Sequence, residues 1–385
     1  QWKASSNQWR PHENKGWQAK VEELADRGIT LEALLRFYSM LGDDCMPHFD
    51  PRRHTTADVV RGAIIPLSAE ACCAMATILM GGVPTRPQAI ITHNWGNLFR
   101  DLVASVVADA LGEEEYNKVA WMLQHEFALL RSWISSCGVG GSKYWICAFS
   151  VNQHAGICGE NALGTQDTVT QQLHATCPCG LPKVWSDTPP TLSDGRGIAC
   201  EMNKFASMMQ YLSATDPGFA QVVAVDAAFV LFTRAWCVAE IATAHAAGMP
   251  QRLKLRSPDG LFRRRSSLMQ LEVRQMEASR PEDKAEILDL IGDLDAFDEQ
   301  LRKILSEELF PSWAGLDARD QMLRSARVLR WQFICNNQRT CLPSDLESQD
   351  ELRDGSMQEM SMSTRKTSTG GSSSRSCAEW SILSV

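Results

Sequence analysis

No stretch of these 385 residues is long and apolar enough to cross a membrane. Glu70 interrupts Ala63–Met80 and Asp226 interrupts Val222–Phe232, so no run reaches the roughly 20 apolar residues that a spanning helix needs. A basic excess is missing as well. Lys and Arg number 38 against 46 Asp and Glu, a formal net charge of −8, which disfavours generic binding to nucleic acid. There is no internal repeat, which sets repeat architectures aside. The first residue is Gln1 rather than Met, so the expectation is a fragment or a processed product whose upstream targeting signal lies out of view. A cytoplasmic, intracellular location is then expected by default only.

What is present is the composition of an ordinary globular protein, 44% apolar and 22% charged, with enough chain for one large domain or two ordinary ones. Thirteen cysteines are many, and odd in number. They sit in apolar or helical contexts such as Ala71-Cys72-Cys73-Ala74, Trp145-Ile146-Cys147 and Trp236-Cys237, where reduced, buried cysteines are found. A reducing compartment follows.

Along the chain, residues 1–19 carry tryptophans among polar residues without a period and are expected to be a loose lead-in. Residues 20–87 read as a helical N-terminal segment. Two short helices break at Gly28, with Thr30 as a new N-cap; Thr55-Thr56 starts the next helix, and Ser68–Met80 forms another. The texture then changes. Ala89–Thr92, Tyr144–Val151 and Gln221–Asp226 are short, nearly all apolar and flanked by helix, as central parallel strands are. Helices are expected over Leu98–Leu111, Glu113–Ser135, Glu201–Leu212 and Ala235–Ala247. Arg252–Leu255 and Leu271–Arg274 are further candidate strands. Ser279-Arg280-Pro281-Glu282 has capping-box spacing and opens a helix through Ile291, and Phe297–Leu309 closes the domain. The expected fold is therefore α/β over residues 88–310: an open parallel sheet flanked by helices, with a Cys-rich insert over 154–200. A C-terminal helix is expected over 311–342. The tail 343–385, with few large apolar residues, is expected to be disordered.

The insert holds one imidazole and three thiols, His154, Cys158, Cys177 and Cys179, among Gly and Pro turns, with Cys200 and His174 as spare ligands. Such a set suits a tetrahedral structural zinc ion (Zn2+), because a loop this long without secondary structure needs something to hold it. Cys177-Pro178-Cys179 has one intervening residue rather than two to four, and free thiols or a redox-sensitive pair stand as the alternative. His48, His54 and Asp50 form a smaller metal candidate beside the reading of a polar linker. Arg263-Arg264-Arg265-Ser266-Ser267 reads as a solvated basic loop or a phosphorylation site, and Asp226, ending a strand, as a possible partner for a ribose hydroxyl.

Three pieces in order carry a resemblance. Thr92-His93-Asn94-Trp95, Ser150-Val151-Asn152-Gln153-His154 and Arg234-Ala235-Trp236-Cys237-Val238-Ala239-Glu240 resemble a protein family of dinoflagellate algae, over roughly residues 25–310. More locally, Trp236-Cys237-Val238-Ala239-Glu240 resembles the TrpCysXXGlu at the start of the third helix of TIR domains. That resemblance implies that residues 88–310 are a TIR/flavodoxin-like domain and a signalling module, and in NAD-cleaving members it implies a catalytic glutamate, which here is Glu240. Cleavage of NAD(P) builds positive charge on the ribose, which a carboxylate beside the ribose hydroxyls stabilises. The resemblance brings His93, Asn94 and Trp95 near Asn152 and Gln153 at the sheet's C-terminal edge as substrate-binding residues, with Trp95 or Trp236 stacking on a ring. Cys147 stands where related strands often carry an acid. The alternative is a non-catalytic signalling or scaffold protein that associates with itself or with other signalling proteins. In that reading Trp236 and Cys237 serve packing, and Glu240 is a first-turn acid favoured by the helix dipole.

Overall fold

In the computed structural model, residues 9–257, 268–278, 284–285, 287–288, 291 and 293–309 are described. Five strands form one sheet: β1 (Ile29–Thr30), β2 (Ala89–His93), β3 (Lys143–Ile146), β4 (Ala220–Ala224) and β5 (Gln251–Lys254). Their order is β1-β3-β2-β4-β5, with β1 antiparallel to β3 and every other pairing parallel. Every residue of β2 and β4 is buried, which explains their near-continuous apolar sequence: both sheet faces are covered by helices. An α/β architecture with a mostly parallel sheet is thus what these residues build. The longer helices are α1 (Lys15–Ala25), α2 (Leu31–Met40), α3 (Phe99–Ala110), α4 (Asn117–His125), α5 (Phe127–Ser136), α6 (Phe205–Thr215), α7 (Ala235–Ala246) and α8 (Leu294–Lys303). None of the described helices is long and apolar enough to cross a membrane.

One face of the sheet is covered by α1, α6 and α7, where Trp17, Val21 and Leu24 meet Ile90, Trp145, Phe205, Met208 and Leu212. On α2 and α3, Phe37 and Tyr38 meet Phe99, Phe149 and Phe127 in a ladder of aromatic contacts. Thr30 accepts a hydrogen bond from Ala33 N (3.1 Å) and caps α2, and Thr55 with Asp58 closes a capping box on the helix that follows.

Several expectations are corrected. The lead-in 1–19 is not loose at its end: α1 begins at Lys15, and Trp17 is fully buried beneath the Lys204 ammonium, 3.3 Å from its ring centre. The segment 20–87 is not only helical, because Ile29-Thr30 forms the edge strand. The strand expected over Tyr144–Val151 ends at Ile146, where the Ser150 hydroxyl accepts from Ile146 N (3.2 Å) and Cys147–Ser150 turns into a helical loop. The helix expected over Glu113–Ser135 is two, broken at Glu126 (φ −137°, ψ 44°). The one expected over Ser68–Met80 turns at Cys72, whose φ of +48° no right-handed helix accommodates, and resumes over Met75–Leu79. Val273–Gln275 is a 3₁₀ turn rather than a strand. The 279–282 capping box, the 263–267 loop, the 311–342 helix and the 343–385 tail lie outside the described residues.

Truncating Trp17 removes one of the two fully buried tryptophans in the cluster beneath α6, and with it the ring on which the Lys204 ammonium sits. Trp17→Ala is expected to cost ~3–5 kcal/mol of folding free energy, read as a lowered urea midpoint.

Candidate functional site

In parallel strands a residue and its registered neighbour share a face, so the pairing Gln221↔Gln251 sets two glutamines side by side under α7. Gln221 is fully buried in an otherwise apolar strand, and a buried amide is costly unless its groups are met. They are met in one direction. Gln251 Nε2 donates to the Ile241 carbonyl (3.0 Å), which fixes its amide end, and also to Gln221 Oε1 (2.7 Å). Gln221 Nε2 then donates to Thr92 Oγ1 (2.7 Å), and Thr92 Oγ1 donates to Glu240 Oε2 (2.6 Å). A donor chain thus runs from β5 through β4 and β2 to the carboxylate on α7. Glu240 Oε1 has no partner among the described residues, and Glu240 is half-buried. Burial pushes its carboxyl up to about 7, against the lowering effect of the Thr92 hydrogen bond.

Beside it, at the C-terminal ends of β2 and β3, lies a sulfur-centred group. Trp95 Nε1 donates to Cys147 Sγ (3.2 Å), His93 Nε2 is 3.9 Å from the same sulfur, and Cys237 Sγ donates to the His93 carbonyl (3.4 Å). Burial, with the Glu240 charge second, pushes the Cys147 thiol up to about 12 and the Cys237 thiol well above its usual range. Burial pushes His93 down to about 4. Cys147 and His93 are therefore a neutral pair at pH 7, not an activated nucleophile and base.

Of the residues expected to bind substrate, His93, Trp95 and Gln153 converge on Cys147. Gln153 Nε2 donates to the Cys147 and Ala148 carbonyls (both 3.3 Å). Asn94 Oδ1 accepts from Gly96 N, and Asn152 Nδ2 donates to the Cys72 carbonyl, so both amides hold backbone. Trp236 packs 6.3 Å from the Phe205 ring. Asp226 accepts from Ala228, Val230 and Leu231 N (3.0, 3.0 and 2.7 Å) and lines a hollow of about 170 Å³ with Arg256 and Ser257. Glu240 is not among the residues lining that hollow.

The insert brings His154, Cys158, Cys177 and Cys179 together, their ligand atoms all within 4.8 Å of one another, and this cluster can bind a metal ion. Cys158 and Cys179 sulfurs are 3.6 Å apart and Cys177 Sγ is 3.7 Å from His154 Nδ1. These are close to the ~3.8 and ~3.6 Å edges of a tetrahedron with zinc–ligand bonds of about 2.3 and 2.05 Å. The Ser68 hydroxyl donates to the Ile64 carbonyl (2.6 Å), so His154 Nε2–H donates to Ser68 Oγ (2.9 Å) and Nδ1 keeps its lone pair toward the thiols. Lys183 Nζ donates to Cys158 Sγ (3.1 Å) and to the His154 carbonyl, setting a cation beside the sulfurs. The spare ligands lie elsewhere: His174 contacts Asp58, and Cys200 is buried outside the group.

His48 and His54 gather around Asp167 rather than Asp50. Asp50 N donates to His54 Nδ1 (2.7 Å), which leaves the ring proton on Nε2, and His54 donates it to Asp167. That tautomer has no lone pair for a metal, so the group is a hydrogen-bonded clasp between the insert and the helix capped by Thr55. Sequence reasoning missed Thr92, Gln221 and Gln251. The one available signal was a glutamine opening an apolar strand. Comparison of the chain with protein-family models, curated proteins and solved structures finds no match.

Glu240 holds its proton to higher pH when folded (about 7) than its ordinary 4.5. The folded form therefore binds more protons between these values, and stability falls as pH rises across that window. The loss is at most about 3 kcal/mol, reduced by the carboxyl's open side. Glu240→Gln is expected to flatten the urea midpoint over that window and to raise it at pH 8.

Proposed function

We propose that the sheet edge around Glu240 is a TIR-like centre that cleaves the ribose–nicotinamide bond of NAD(P). One observation carries the reading: a donor chain that runs from half-buried Gln251 through the buried Gln221 and Thr92 is spent on holding one carboxylate oxygen, while the other has no partner among the described residues. Buried polar groups committed in this way are costly in a sheet, and carboxyls displaced toward neutrality cluster at functional sites. The strand order supports it, because β3-β2-β4-β5 is the second-first-third-fourth order of flavodoxin-like doubly wound sheets. Those sheets take ligands outside the strands' carboxyl ends, where His93 and Trp95 stand. As the glycosidic bond breaks, Glu240 faces the positive charge growing on the ribose, nicotinamide leaves with the bonding electron pair, and water adds to the ribose carbon.

Purified protein incubated with NAD is expected to release nicotinamide. Glu240→Gln is expected to lower the rate by on the order of 10²-fold or more. Equal release by both proteins removes Glu240 from the reaction. The non-catalytic alternative, a module assembling with itself or with signalling partners, is favoured by the engagement of Asn94, Asn152 and Gln153 with backbone. It predicts no release from either protein.

The ion suited to the insert is structural zinc, held by His154 Nδ1 and the sulfurs of Cys158, Cys177 and Cys179. The preset His154 tautomer and its Ser68 anchor support this, as does Lys183 against the negative charge of a three-thiolate set. Zinc would supply cross-links across a long loop. Metal analysis is expected to give one zinc per chain, and Cys177→Ser is expected to lose it and to open residues 154–200 to protease.

A further inference from the structure

Next to the clasp of His48, His54 and Asp167 stands a group that the fold leaves unbalanced in charge. Asp58, on the helix capped by Thr55, and Asp167 and His174, in the insert, bring one ligand atom each within 4.8 Å of one another. The side chains of Asp58, Asp167 and His174 are only 2%, 9% and 6% exposed. Carboxylates this deep are costly unless a cation meets them, yet among the described residues both form ion pairs with histidines alone. His54 supplies no charge, since its Nδ1 accepts from Asp50 N and its one ring proton is the Nε2–H given to Asp167. Residues outside the group set His174. Asn161 Nδ2 donates to the Thr165 carbonyl (2.8 Å), and Asn161 Oδ1 accepts from Thr165 N and from Thr165 Oγ1 (both 2.8 Å). With its proton spent, Thr165 Oγ1 accepts from His174 Nδ1–H (3.1 Å). The lone pair on His174 Nε2 is then turned to Asp58 Oδ1 at 3.1 Å, acceptor against acceptor. Asp58 Oδ2 is filled by Thr55 N, Thr55 Oγ1 and Thr168 Oγ1, whereas Oδ1 has only Thr168 N, at 3.3 Å, besides His174. A cation is required between the two.

From this arrangement we infer that Asp58, Asp167 and His174 form a binding site for a divalent metal ion of the manganese class, separate from the thiol cluster. A divalent ion balances both carboxylates, which a single proton on His174 does not. Two carboxylate oxygens and one imidazole nitrogen, with water completing an octahedron, suit manganese(II), whereas zinc is better served by the sulfurs of the insert. The 3.1 Å between Asp58 Oδ1 and His174 Nε2 is close to the ~3.0 Å edge of an octahedron with bonds of about 2.1 Å. An outer shell is in place as well. Thr165 and Asn161 fix the imidazole, while His54 and the N–H groups of Val169 and Thr170 fix the Asp167 carboxylate. The tautomer that bars His54 from ligating thus makes it a support for a residue that does. The ion ties the insert to the helix that carries Asp58.

The test uses the full chain, its zinc content measured first, titrated with manganese(II) and followed by the electron paramagnetic resonance signal of the free ion. One manganese per chain is expected to bind, and its electron spin echo is expected to show nitrogen modulation from a directly bound imidazole. His174→Gln and Asp167→Asn are expected to weaken binding by about tenfold or more, with zinc content and circular dichroism as in wild type. The echo is recorded on wild type, so it decides the matter even where a variant fails to fold. Wild-type chain that takes up no manganese, a bound ion without nitrogen modulation, or binding that survives both substitutions overturns the site. Chain that lacks zinc and still binds manganese through nitrogen upholds this site on its own, whatever becomes of the thiol cluster.

Discussion

Inside a parallel sheet, the amide of a buried side chain has no water to turn to, and each of its groups must find a partner within the protein. Gln221 resolves this by giving its carbonyl to Gln251 and its amide to Thr92, and the direction of the whole series is set by one backbone carbonyl, that of Ile241. Reversing any amide would place two donors or two acceptors together. The carboxylate at the far end therefore inherits its orientation from a helix carbonyl one residue further along its own element. The register of β2, β4 and β5 is held by the same side chains, because a one-residue slip would turn the glutamines to the opposite face.

The insert between β3 and β4 is held by side chains instead of ladders. Lys204 donates to the Gly197 and Cys200 carbonyls and sits over Trp17; Asp167 ties His54 to the chain at Val169 and Thr170. Asp58, besides capping its helix, accepts from Thr168 and contacts His174. The contacts of Lys204 with Trp17, of Asp167 with His54 and of Asp58 with Thr168 and His174 join segments more than 100 residues apart, so they carry the loop-closure cost of bringing distant chain together.

Legibility in the sequence followed the range of the interactions involved. β2 and β4 were readable because complete burial leaves a plain apolar run, and Thr30 and Thr55 because an N-cap acts within three residues. The four metal-binding candidates were readable from residue type and loop context. Trp17 was not, since its partners Arg196 and Lys204 are about 180 and 190 residues away along the chain, nor was β1, whose two residues carry no period of their own. The break at Glu126 left the apolar spacing intact, which is why two helices read as one. The series ending at Glu240 was hidden for a different reason: its members lie on four elements and meet only through strand register.

The shortness of β1 has an outcome for how copies of this chain can meet. Two residues cover the outer rim of β3, and beyond β5 the Leu255 N–H donates to the Glu114 carbonyl while the Leu255 carbonyl accepts from Tyr116 N. Among the described residues both edge strands are short, two residues in β1 and four in β5, so growth by adding strand to strand, the route to amyloid-like stacking, finds poor footing. For these residues, side chains on the helices and loops offer the broader surface for association, where selectivity can be written residue by residue.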